Sequence, residues 1–97
     1  MATLTQQTEF AAWIDRSLEY LIEEWSEIPE IACEWSTWDE PDRLDFVLEW
    51  PLNEIRLRDL QTWEAQGRLS AAQRKRFEEL ERLIRRHRTT LDRLLAE

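Results

Sequence analysis

The apolar side chains of this chain return at steps of three and four along almost its whole length, and that period points to α-helix. Between residues 8 and 28 they fall at Phe10, Trp13, Ile14, Leu18, Leu21, Ile22, Trp25 and Ile28. Those steps lay them on one helix face, with Asp15, Glu19, Glu23, Glu24 and Glu27 mostly on the other. Pro29 cannot donate to a helix ladder and biases Ile28 away from helical geometry, so a stop or sharp kink is expected there.

Residues 30–38 read two ways. Ile31, Trp35 and Trp38 have helical spacing, whereas Ile31, Cys33 and Trp35 alternate as in a strand that could pair with Leu44, Phe46, Leu48 and Trp50. Residues 39–42 favour helix. Asp39 suits an N-cap, Pro41 tolerates a first turn, and Glu40 and Asp42 suit the positive end of a helix dipole. Nothing there has the form of a two-residue hairpin turn.

A second helix is expected over 40–66, its apolar positions being Leu44, Val47, Leu48, Leu52, Ile55, Leu60 and Trp63. Pro51 removes one ladder bond and crowds the Val47 carbonyl, so a kink or break belongs near Trp50–Pro51. Gly67, the only glycine, stands where a left-handed C-terminal cap would place it. Ser70-Ala-Ala-Gln73 then has the form of a capping box opening a third helix over 70–95. Its seam, Phe77, Leu80, Ile84, His87, Leu91 and Leu94, is of coiled-coil type but only about two and a half heptads long, which favours a bundle.

Length sets the arrangement. A helix of 25 residues spans roughly 38 Å at 1.5 Å per residue, whereas a compact chain of 97 residues has a radius of gyration of about 12.5 Å. The link 67–69 is short enough to force an antiparallel neighbour. The expected fold is therefore all-α: one domain over 1–97, an elongated bundle with a long αα-hairpin (40–66 and 70–95, kinked at Pro51) and the 8–28 helix packed along it. Either this thin bundle closes alone or a second copy completes the core. The 70–95 seam is the expected surface for such a homodimer.

Charge is divided unevenly. Residues 1–67 carry sixteen acids against four bases, a balance of −12, while residues 68–97 carry nine bases against five acids, a balance of +4. The net charge of −8 argues against nucleic-acid binding, which rests on neutralising phosphates. A basic face of the last helix (Arg74, Lys75, Arg82, Arg85, Arg86 and Arg88) remains as a weak nucleic-acid candidate, interrupted by Glu78, Glu79 and Glu81. Glu78–Arg82 and Glu81–Arg85 are spaced to pair within the helix. The acidic body suits steering of a basic partner or, alternatively, mimicry of a nucleic acid toward a DNA- or RNA-handling protein.

Composition narrows the chemistry. One Cys and one His make neither a disulfide framework nor a zinc finger, and one Gly cannot build a glycine-rich phosphate loop. No apolar run approaches the roughly 18 residues of a membrane span, and no signal-peptide core opens the chain, so a cytoplasmic, reducing setting is expected. His87 on the seam reads as a register-setting polar group and Cys33 as a small buried hydrophobe. Acid pairs such as Glu19–Glu23 and Glu23–Glu27 could hold a cation, but no Glu-x-x-His pattern accompanies them. No oriented nucleophile and base can be assembled, so neither an enzyme nor a cofactor is expected.

Six Trp are the compositional oddity. Trp13, Trp25 and Trp63 lie on apolar stripes and read as core. Trp35, Trp38 and Trp50 cluster in the proline-punctuated middle, each near an acid: Glu34, Asp39 and Glu49. Aromatic faces beside carboxylates suit a cationic side chain of a partner. These six residues are the expected partner-binding set of a non-enzymatic interaction module.

Overall fold

The computed structural model describes residues 4–96, and it is helical from end to end. Helix α1 (Leu4–Ser26) leads into α2 (Ile28–Glu34), a single 3-10 turn (Trp35–Thr37), α3 (Glu40–Ala65) and α4 (Ala71–Leu95). The all-α bundle expected from the apolar period is the fold observed. No helix among the described residues is long and apolar enough to cross a membrane.

The interruption expected at Pro29 is present: α1 ends at Ser26 and α2 begins at Ile28, with Pro29 in the first turn of α2. There its missing N–H removes little, because first-turn donors lack intrahelical partners anyway. The Glu27 and Ile31 amides still bond the Glu23 and Glu27 carbonyls, at 3.2 and 3.0 Å. The chain therefore bends through this point and continues helically. Pro51, by contrast, does not break α3, which runs through it as one helix. Pro51 itself stands on an exposed face of the helix.

The caps fall where the residue types ask for them. The Asp39 side chain accepts from the Asp42 amide at 3.0 Å and opens α3. At the other end Gly67 adopts φ +71°, its amide bonding the Glu64 carbonyl and the Arg68 amide the Trp63 carbonyl, each at 2.9 Å. That bond pair is a Schellman motif, and its left-handed residue is the one that favours glycine. The Ser70–Gln73 capping box closes in both directions, at 2.9 and 3.1 Å.

The first helix packs along the other two, as its length and apolar face lead one to expect. The middle of the bundle belongs to α1, which runs antiparallel to α3 and parallel to α4. Tyr20 and Asn53 mark the first pairing, through Arg56 and Glu24. Gln73 against Ala11 and Asp15, and Arg88 over Trp25, mark the second. The core runs along α1 through Ile14, Leu18, Leu21 and Trp25 and on to Ile28 of α2, all almost wholly buried, and takes Leu57 and Leu60 from α3 and Phe77, Leu80 and Leu91 from α4. The overall extents are 50 × 24 × 16 Å with a radius of gyration of 15.5 Å, so the elongation expected from helix length is present. The thin dimension leaves α3 with one face inward and one face outward.

Helix α3 buries the opposite face from the one its aliphatic spacing suggests. Its buried residues are Trp50, Asn53, Leu57 and Leu60, whereas Leu44, Leu48, Leu52 and Ile55 are exposed by 54, 66, 57 and 46%. Both faces are apolar. An aromatic stripe meets α1 and an aliphatic stripe meets solvent. Two further expectations change: Trp13, expected in the core, is 49% exposed, and Cys33 is exposed rather than buried.

Candidate functional site

The middle tryptophans form a ladder. Trp25 and Trp50 meet edge to face at 5.3 Å between centroids; Phe46 lies 5.5 Å from Trp50 and 5.5 Å from Trp35; Trp38 lies 5.5 Å from Trp35 and 6.1 Å from Phe46. The ladder runs from the core at Trp25 to the surface at Trp38, because the 3-10 turn carries Trp35 and Trp38 onto the first turns of α3. Aromatic pairs in such offset and edge-on geometries contribute about 0.5–1.5 kcal/mol each beyond their buried area.

The ladder fixes where the expected partner-binding residues lie. Trp35 and Trp50 are buried, at 6 and 3% exposure, and only Trp38 is part-exposed. Trp50 also spends its indole N–H inside the fold, donating to Glu54 Oε1 at 3.1 Å. Glu34, Asp39 and Glu49 are all exposed, and Asp39 is engaged as the α3 cap. Of the six, Trp35 and Trp38 are in ring contact, and Trp38 and Glu49 line one surface groove.

They do so with residues that spacing alone did not single out. Asp42, Asp45, Phe46 and Glu49 share a flank of α3 at steps of three and four, and with Trp38 they line a surface groove of about 350 Å³. Two aromatic rings and three carboxylates line this shallow groove. The charge of Asp39, its contact with Asp42, then burial and the charge of Asp45 hold the Asp42 carboxyl above its ordinary range. Negative charge is thus concentrated here enough for one acid to raise its neighbour's proton affinity. The grouping of Asp42, Asp45 and Glu49 was available once Asp39 was recognised as the cap; what sequence could not provide was the arrival of Trp38 alongside.

A second node lies deeper. Arg88 Nη1 donates to Glu54 Oε1 at 2.6 Å, and its guanidinium stacks 4.8 Å from the Trp25 ring centroid. Burial pushes the Glu54 carboxyl up, but hydrogen bonds from Arg88 and Trp50 together with the Arg88 charge outweigh it, and the net shift is downward. Glu54–Arg88 joins α3 to α4 and removes Arg88 from the basic face. It is the one ion pair within 4 Å among the described residues, so the expected pairs Glu78–Arg82 and Glu81–Arg85 are open. The remaining members, Arg74, Lys75, Arg82, Arg85 and Arg86, are exposed.

The seam expected to self-associate is mostly used within the chain. Phe77, Leu80, Leu91 and Leu94 are buried, and Ile84 and His87 are half-buried. Packing inside one copy therefore accounts for their spacing. Among the described residues no buried side-chain nitrogen or oxygen lacks a hydrogen-bond partner, and no three acidic, His or Cys side chains converge as a metal site would require. No protein-family model, curated protein or solved structure matches the chain.

Proposed function

We propose that this chain is a non-enzymatic interaction module that receives a basic segment of a protein partner in the groove of Trp38, Phe46, Asp42, Asp45 and Glu49. The observation that carries the reading is the pairing of aromatic faces with three carboxylates in one concave site. A guanidinium or ammonium group can lie against a ring face while its N–H donors reach carboxylates, two attractions that reinforce each other. The surrounding charge of −12 over residues 1–67 would steer a basic partner toward that end of the bundle. The depth of Trp35 and Trp50 supports a role for them as the rigid backing of the groove rather than as contact residues.

The test is calorimetric titration of a short Arg/Lys peptide, repeated with Asp42→Asn/Glu49→Gln, with Trp38→Leu and with Glu19→Gln/Glu23→Gln. The last pair removes the same charge from α1, away from the groove. Loss of about tenfold or more in affinity for the groove variants, against little change for the α1 variant, is the expected result. Equal weakening by both charge pairs would reduce the interaction to unspecific attraction by an acidic protein and would end the proposal, as would absence of binding at low salt.

A further inference from the structure

We infer that the outer aliphatic face of α3 docks against the same face of a second copy, the two helices running antiparallel about a two-fold axis. The first observation is the stripe itself. Leu44, Leu48, Leu52 and Ile55 occupy the side of α3 opposite its buried residues and are each about half or more exposed. Together with Trp13 and Tyr20 on α1, whose ring is reached by Arg56 at 4.6 Å, they are the exposed large hydrophobic residues of the described chain. A contiguous aliphatic stripe on a chain with a net charge of −8 is an interface signature rather than scattered surface apolarity.

The second observation selects the occupant. At 100° per residue, Asp45, Glu49 and Arg56 fall on one flank of the stripe and Glu40 and Arg58 on the other. A two-fold axis lying across the helix reverses its direction but keeps each flank beside its own counterpart, so contacts are reciprocal. With Leu48 set opposite Leu52 of the second copy, Leu44 meets the second copy's Ile55. In that register Asp45 stands opposite Arg56 of the second copy, and Glu40 lies near its Arg58. One alignment thus pairs the aliphatic residues and places Asp45 with Arg56 and Glu40 near Arg58, while the two Glu49 side chains, farther round the flank, approach each other at the axis. Asp59 falls beside the opening turn of the second α3, whose positive dipole end favours an acid. All six of these charged residues are exposed.

The seam from Leu44 to Ile55 is roughly 17 Å long at 1.5 Å per residue, so the contact belongs to the small class below about 1,200 Å². A dissociation constant on the order of 10 μM is the corresponding expectation. Asp45 and Glu49 border both this seam and the acidic groove, but the dimer contact rests on the aliphatic stripe and the charge register and is independent of what the groove binds.

The experiment is sedimentation equilibrium from about 1 to 500 μM, a range chosen to bracket that constant, in a Cys33→Ser background that removes disulfide-linked dimers. A reversible monomer–dimer equilibrium is expected. Leu48→Glu/Leu52→Glu should leave the protein monomeric throughout, with unchanged helical circular dichroism, since neither side chain is buried in the single copy. Asp45→Arg should weaken the dimer about tenfold or more by opposing two arginines at both symmetric contacts, and adding Arg56→Asp should restore it. A purely monomeric wild type would overturn the inference. So would a dimer indifferent to the Leu48/Leu52 pair, or a charge swap that rescues nothing, since the antiparallel register requires that rescue.

Discussion

Gln73 concentrates more of the fold's polar stabilisation than any feature of its local sequence suggests, and its replacement by alanine makes a sharp test. The side chain is 6% exposed. Its Oε1 accepts from the Ser70 amide at 2.9 Å, and its Nε2 donates to the Ala11 carbonyl at 3.1 Å and to Asp15 Oδ1 at 2.9 Å. Gln73→Ala removes all three. A neutral hydrogen bond contributes about 1 kcal/mol net and one to a charged acceptor somewhat more. Ser70 and Asp15 are exposed, so water recovers part of the loss, and alanine's better helix propensity returns a few tenths of a kcal/mol. The expected destabilisation is about 2–3 kcal/mol, a large share of the roughly 5–15 kcal/mol that holds a domain of this size. Urea unfolding followed by circular dichroism should show a lower midpoint with an unchanged slope.

Gln73→Glu separates the two roles of the residue. Glutamate keeps an oxygen for the Ser70 amide and adds a favourable charge in the first turn of α4, so if capping were the whole role it would be neutral or stabilising. If the tie to α1 matters, the loss of both Nε2 donors and the new repulsion from Asp15 should destabilise by about 1.5 kcal/mol or more at pH 7. A Gln73→Glu protein as stable as wild type would mean that the hydrogen bonds to α1 carry no net stability.

Two further perturbations probe other parts of the frame. Glu54 titrates below its ordinary range in the folded chain, so its contribution is present above the unfolded carboxyl value near 4.3 and is lost as pH falls through the folded value. Glu54→Gln should therefore cost about 0.5–1 kcal/mol at pH 7, solvent screening having been allowed for at 36% side-chain exposure, and progressively less as pH falls through the folded value; a difference independent of pH would contradict the ion-pair account. Gly67→Ala meets no atom within 4 Å but must hold φ +71°, so thermal unfolding should report a loss of about 1 kcal/mol, and no loss would mean that the Schellman turn had been replaced.

How legible the chain was depends on the range over which each decision is made. Helix content, the Asp39 cap, the Gly67 turn and the Ser70–Gln73 box depend on residues within a few positions of one another, so residue type and spacing reveal them. The length of the last helix against the size of a compact chain likewise implies an elongated shape. Pro29 is ambiguous from sequence because the same ring ends one helix and suits the first turn of the next; the distinction lies in whether Ile28 finds a core, and it does, at 0% exposure. In the candidate site, Asp42, Asp45 and Glu49 can be grouped from spacing, but Trp38 joins them only through the path of the 3-10 turn. Trp35 and Trp50 have the sequence setting of surface anchors, and only the ladder buries them.

Local properties of the chain — backbone hydrogen bonding, capping and charge — were enough to define a set of helices with clear ends and an acidic first two-thirds. Which apolar face each helix turns inward is a matter of long-range packing. Helix α3 carries two such faces, aliphatic through Leu44, Leu48, Leu52 and Ile55, and aromatic through Phe46 and Trp50. Periodicity cannot rank them, since both satisfy the same spacing. The aromatic face is the one that meets α1, where Trp25 supplies a ring to pack against and Arg88 of α4 a cation to pair with Glu54. Burial follows the face whose neighbours can complete both its packing and its hydrogen bonds, and those neighbours lie far away along the chain.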